Sequence, residues 1–204
     1  MRMRDVSLCV TSMLVAAAFT TGCATTANVR PNLVFADRSP NIETRGGLYI
    51  AATTKEHVVK ASYFGTEYRI PLGQAMEPNA RASLAKVLSS VEVLDSKTGD
   101  NVDRVFEIQV DPRSSIDLGT FTFSANAVKV CLTCNVYDKQ GQCVWSQYLE
   151  EEGKKRSWWG FLGGLAGNYG YISSLRLSAE AGLQKALEKL NDKVLEDRQK
   201  VFAQ

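Results

Sequence analysis

Between Ala125 and Val136 apolar and polar residues alternate. Val128, Val130, Leu132, Cys134 and Val136 fall on one face, and Lys129, Cys131, Thr133 and Asn135 on the other. A period of two with one apolar face predicts a half-buried antiparallel strand. The segment YDKQGQ that follows predicts a turn, and CVWSQYL a returning strand with Cys143, Trp145 and Leu149 inward. VFEIQV, from Val105 to Val110, sets Phe106, Ile108 and Val110 against Glu107 and Gln109. GGLYIAATT, from Gly46 to Thr54, predicts the first core strand, and Val91, Val93 and Leu94 another. Tyr63–Ile70 is a weaker strand or loop, ended by Pro71.

Two stretches carry a helical period. Leu72, Met76, Ala80, Leu84, Val87 and Leu88 recur at spacings of three and four. Pro78 interrupts that stripe, so the helix is expected to start near Glu77, with Pro78 in its first turn, or to kink there. Residues 178–202 predict a closing helix with Ser178 as N-cap and a buried stripe of Leu183, Leu187, Leu190 and Val194. The pattern predicts an α+β fold: a mixed or antiparallel sheet of about four or five strands, with two main helices packed on one face.

The first residues follow another logic. Arg2 and Arg4 precede an apolar run from Val6 to Phe19 that stops at Thr20-Thr21-Gly22-Cys23. A basic start followed by a short apolar core is the pattern of an export signal, too short for a spanning helix. Gly22-Cys23 resembles the lipobox of bacterial lipoproteins, in which the cysteine is acylated and becomes the mature amino terminus; Thr20 departs from the usual leucine. An ordinary secretory signal, or a first helix buried in a core, is the alternative. Ala24 after the cysteine, rather than Asp, by the same resemblance favours the outer membrane. The expected organisation is therefore a signal peptide over 1–22, a lipidated amino terminus and flexible polar tether over 23–45, and a single α+β periplasmic domain over 46–204. The tether reading rests on Asn, Thr, Ser, Pro31 and Pro40. Leu33-Val34-Phe35 breaks that composition and could dock on a sheet edge or a partner.

Removing residues 1–22 takes Arg2, Arg4 and Asp5 from totals of 24 basic and 22 acidic residues, so the net charge falls from +2 to +1. Such a balance gives no drive toward nucleic acid. His57 is the single histidine, which excludes a multi-histidine metal site, and its polar neighbours place it on a solvated strand or loop. No Walker loop, dinucleotide fingerprint, GxSxG or HExxH is present. Neither catalytic residues, metal ligands nor a cofactor is expected.

VCLTCNVYDKQGQCVW holds Cys131, Cys134 and Cys143. Three cysteines with one remote histidine make a poor zinc set. Cys131 and Cys134 lie on opposite faces of a strand and cannot easily bridge. A Cys134–Cys143 disulfide is conceivable in an oxidising compartment, though long for the geometry; an odd, bulged loop would move Cys143 to the face of Cys131. Buried free thiols are the alternative.

GKKRSWWGFLGGLAGNYGYISS, from Gly153 to Ser174, looks most like an interaction surface. Lys154, Lys155 and Arg156 stand beside Trp158, Trp159, Phe161, Tyr169 and Tyr171, with five glycines interleaved. Cations next to tryptophans suit a lipid interface, and exposed aromatics suit a protein partner or a second copy. The tryptophans could equally cap the core.

The order of GGLYIAATT, MEPNARASLAKVL, VEVLD, a long hairpin and AEAGLQKALEKLNDKV resembles the small α/β lipoproteins related to the amino-terminal domain of the Tol-Pal translocation protein. Relatives include lipoprotein activators of peptidoglycan synthases and the curli-secretion and exopolysaccharide-export lipoproteins. The resemblance implies a non-catalytic scaffold or assembly subunit on the periplasmic face of the outer membrane. Its expected partners are the membrane, through the lipid, and other envelope proteins or itself as a homo-oligomer. A periplasmic binding protein for a small lipid, glycan or peptidoglycan-related ligand is the alternative.

Overall fold

Strand β8 (Asn126–Tyr137) is the axis of the fold, and Val128, Val130, Leu132, Cys134 and Val136 on its inner face are all fully buried. The structure, a computed structural model, describes residues 24–38, 42–63, 65–118, 126–155 and 169–202. β8 pairs antiparallel along one edge with β9 (Cys143–Lys155). Its other edge takes β6 (Arg104–Val110) opposite residues 132–137 and β7 (Ser115–Asp117) opposite 127–129. Beyond β6 lie β2 (Ile42–Tyr49) and β5 (Leu88–Leu94), both in parallel pairings, so this six-stranded sheet is mixed. A second sheet has the order β1 (Ala24–Thr26), β4 (Thr66–Ile70), β3 (Val59–Tyr63).

Two long helices, α2 (Leu72–Leu84) and α3 (Tyr169–Glu196), supply the apolar layer over the large sheet. Short helices α1 (Ala52–Lys55) and α4 (Arg198–Phe202) complete the described elements. α3 buries Leu175, Ala179, Leu183, Ala186, Leu187, Leu190 and Val194, a stripe of spacings three and four that lies on β8 and β9. The expected α+β class and the helical layer are therefore present, with a larger main sheet than the alternation predicts.

The closeness of that layer depends on two glycines. A Cβ on Gly153 of β9 would stand 2.0 Å from the Ser178 carbonyl oxygen and 2.4 Å from the Gly182 nitrogen. One on Gly182 would meet the Val128 carbonyl oxygen at 3.0 Å. Strand and helix thus touch backbone to backbone, a distance that no side chain permits.

Several boundaries differ from those the sequence predicts. β2 begins at Ile42 and ends at Tyr49, after which Ala52–Thr54 turn into α1 rather than extending the strand. α2 begins at Leu72 and passes through Pro78, because its buried residues, from Leu72 and Met76 to Ala80 and Leu84, pin both halves to the core. α3 begins at Tyr169, and Ser178 is a buried mid-helix residue, not a cap. Its hydroxyl accepts from the Lys155 amide (3.1 Å) and donates to the Asn126 carbonyl (2.8 Å), tying the helix to two strands. The β8–β9 pairing is bulged at Val136/Tyr137, which keeps Trp145 and Leu149 buried and turns Cys143 outward.

The largest difference is at the amino end. Residues 24–38, expected as part of a flexible tether, are packed. β1 pairs in parallel with β4, and the Ala27 amide donates to the Arg69 carbonyl at 2.8 Å. The chain then runs extended along α2 and α3 with Ala27, Val29 and Phe35 in the core. Asn79 of α2 grips this strap: its Oδ1 accepts from the Leu33 amide and its Nδ2 donates to the Arg30 carbonyl, both at 2.9 Å. Arg30 and Arg38 reach Glu180 (3.2 Å) and Asp192 (3.1 Å) of α3.

Two substitutions separate a packed strap from a tether. Phe35 is 5 % exposed and Val34 is 82 % exposed. Phe35→Ala is expected to cost about 3 kcal/mol in urea unfolding, and Val34→Ala almost nothing. A tether would leave both neutral. Gly153→Ala is expected to lose about 2 kcal/mol or more by the same measurement, since its methyl group must separate helix from strand.

Candidate functional site

Five parts of the chain meet at one end of the molecule. Ala24 opens β1 opposite Glu67, and Thr25 lies opposite Tyr68. β3 and β4 form a hairpin whose last pair is Tyr63 and Thr66, with Gly65 at a φ of 76° in the turn. That left-handed conformation suits glycine. Tyr171, near the start of α3, stacks on Tyr63 with ring centroids 6.3 Å apart and planes 4° apart. It also meets Tyr68 at 5.3 Å with a 46° tilt. One helical turn later, Ser174 donates to the carbonyl of Lys155, the last residue of β9, at 2.9 Å. Asn126, which opens β8, is opposite Lys155. The start of β1, the hairpin tip, the ends of β7 and β9 and the first turns of α3 thus share one end.

This arrangement brings together part of the surface that the sequence pointed to. Lys154 and Lys155 are exposed, Tyr171 is half-buried, and Tyr169 is the first residue of α3. Arg156, Trp158, Trp159, Phe161 and the acylation candidate Cys23 lie outside the described residues. Lys154 pairs with Glu152 at 3.1 Å. Sequence reasoning missed Tyr63, Tyr68 and β1. The aromatics flanking a glycine in SYFGTEY carry a hairpin signal, whereas ATT carries only β-propensity.

The tyrosine cluster is electrostatically distinct. Burial, then the Tyr68, Tyr63 and Asp117 charges, push the Tyr171 hydroxyl up to about 12. Its oxygen is buried without a hydrogen-bond partner among the described residues. Burial likewise raises Tyr68.

Chemistry elsewhere is satisfied rather than poised. Glu107 is 2 % exposed, with Lys97 at 2.9 Å, the Tyr137 hydroxyl at 2.7 Å and Asn135 at 3.3 Å. Burial pushes its carboxyl up, and hydrogen bonds led by Lys97 and Tyr137 more than offset this, holding it below the usual range. Glu180, the other buried acid among the described residues, faces Arg30 and Arg176. His57 sits half-buried in the loop before β3, its pKa lowered by burial against the pull of Asp111. Among the described residues no three His, Cys, Asp or Glu side chains converge as a metal site. No described helix is long and apolar enough to cross a membrane.

Cys131, Cys134 and Cys143 are free thiols. Cys134 lies opposite Gln147 and Cys143 opposite Tyr137, so the bulged register does not set Cys134 and Cys143 against each other for a disulfide. Burial pushes the Cys134 thiol well up.

No family model and no curated protein matches the chain. Solved structures do. A Xanthomonas campestris protein of the DUF330 family is 12% identical over 86% of this chain and 99% of its own, with a TM-score of 0.55. A minor lipoprotein from Acinetobacter baumannii is 12% identical over 76% of this chain and 91% of its own, at 0.38. The PelC dodecamer from Paraburkholderia phytofirmans is 16% identical over 73% and 92%, at 0.36. The first of these establishes a shared mixed α/β fold.

Tyr171→Phe removes a buried hydroxyl that has no partner while keeping the stack. It is expected to leave stability unchanged or raise it by up to about 1 kcal/mol. Because the folded-state value lies above the ordinary tyrosine value of 10, the unfolded chain ionises first, and stability falls as pH rises from 10 toward 12. Chemical unfolding of the phenylalanine variant should therefore show a smaller alkaline loss between those limits than the natural protein does.

Proposed function

We propose that the protein is a non-catalytic lipoprotein of the outer membrane, acylated at Cys23 after cleavage behind Gly22. It faces the periplasm and serves as a scaffold or assembly subunit of a cell-envelope complex. One observation carries this reading. The export-signal pattern ends at Gly22-Cys23, directly before Ala24 of the paired strand β1. The resemblance to Tol-Pal-type assembly modules points the same way, as does the pairing with cations of both acids buried among the described residues.

The ligand-binding alternative has less support. Among the described residues, a concavity lined by Gly99, Val102, Asp103, Arg104 and Lys139 spans about 150 Å³, part of it open to solvent, below the usual range of small-molecule pockets. Lys154, Lys155 and Tyr171 are the described residues of the candidate interaction surface.

The test is intact-mass analysis of membrane-extracted protein, paired with crosslinking in intact cells. A chain starting at acylated Cys23 and crosslinked to itself or to envelope proteins is expected. Cys23→Ala should leave the signal uncleaved and abolish the lipid mass. An unmodified chain cleaved elsewhere would defeat the anchor, and a lipidated but partnerless monomer would defeat the scaffold.

A further inference from the structure

We infer that the anchored protein stands directly on the lipid surface by its β1–hairpin end, with no spacer between acyl chains and fold. This rests on the acylation of Cys23 proposed above. A lipoprotein with a flexible spacer of ~20 residues could range roughly 25 Å from its membrane. Here the chain is committed from its first mature residues. Ala24 pairs with Glu67, Thr25 with Tyr68 and Thr26 with Arg69, and the Ala27 amide is bonded to Arg69. Only one peptide unit, at most ~3.6 Å, separates the acylated residue from a paired strand. The end of the domain that carries Ala24 must therefore stay within a few ångströms of the headgroups.

The residues at that end suit the position. Tyr63 and Tyr171 stack at the hairpin tip, each half-buried, and tyrosine rings favour the headgroup layer. Lys154 and Lys155 are exposed at the end of β9, where an anionic lipid attracts each cation. The acids nearby are Glu67, ion-paired with Arg69, Glu152, ion-paired with Lys154, and Asp117. The far end is a polar turn. α3, Tyr169–Glu196, runs away from this end for 28 residues, roughly 42 Å of helix. At the opposite end of β8 and β9 lies the polar turn at 138–142, where Asp138 accepts from the amides of Gln140 and Gln142. Proximity to the bilayer thus has one geometric solution: aromatic end down, β8–β9 turn outward.

The experiment uses the full acylated protein reconstituted into vesicles of phosphatidylethanolamine and phosphatidylglycerol doped with a lipid bearing a headgroup nitroxide. Cys143→Ser removes the exposed native thiol. A fluorophore is then placed on Ser62→Cys, an exposed site beside Tyr63, or on Gln140→Cys at the far turn. Quenching should be several-fold stronger at position 62 than at 140. Inserting a ~10-residue Gly/Ser linker between Cys23 and Ala24, with a reach of roughly 17 Å, should erase most of that difference. Equal quenching at both positions, or stronger quenching at 140, in protein whose mass shows acylated Cys23 overturns the orientation alone. A mass without acyl groups overturns the orientation and the anchor together.

Discussion

The backbone contact between Gly153 and Gly182 is the constraint on which the rest of the structure depends. Where a Cβ would come within 2.0 Å of the Ser178 carbonyl oxygen, helix and strand have no room for side chains between them. Only at that separation can the Ser178 hydroxyl reach both the Lys155 amide and the Asn126 carbonyl. These bonds fix the rotation of α3, so that Leu183, Leu187, Leu190 and Val194 meet the inner face of β8. They also hold its first turns over the end of the sheet, where Tyr171 contacts the β3–β4 hairpin. The aromatic end and the hydrophobic core are thus consequences of one close approach.

Polar groups specify what the apolar layer alone would leave loose. Asn191 of α3 donates to the Ser83 carbonyl (2.9 Å) and hydroxyl (3.0 Å) of α2, and Ser83 reaches the Leu187 carbonyl at 3.3 Å. Asn79 performs the same task between α2 and the amino-terminal strap. Each side chain is buried, so a shifted register would leave its donors unpaired in the interior. The two helices and the strap accordingly have one mutual alignment.

Much of this was legible in the chain, and the gaps have physical causes. Alternation marks β6, β8 and β9 because apolar side chains dominate one face of each, even where Val105, Glu107 and Cys131 are buried on the other, and the leucine stripe marks the second half of α3 because it buries one side. Its first half was hidden: Gly170, Ser173 and Ser174 are poor helix formers, and contacts with Lys155 and the hairpin tyrosines stabilise that turn instead. The strap was misread because its partners, Asn79 and Glu180, lie 46 and 150 residues away, and no local composition reports them. Cys143 was misplaced by a single bulge, which reverses the facing of every residue before it. Of the candidate site, Lys154, Lys155 and Tyr171 could be read from charge and aromatic clustering, whereas Tyr63, Tyr68 and Ala24 join them only through the topology of the small sheet.

The parallel pairing of β1 with β4 has a mechanical side. A pull on the amino end enters the domain along β1 and loads its bonds to Glu67–Arg69 in shear, so they must yield together rather than one after another. Behind them the same load meets Phe35 in the core and the Arg38–Asp192 ion pair on α3. Tension on the chain is therefore carried into both sheets and both long helices, and the domain bears it as one body instead of hanging from a slack leash.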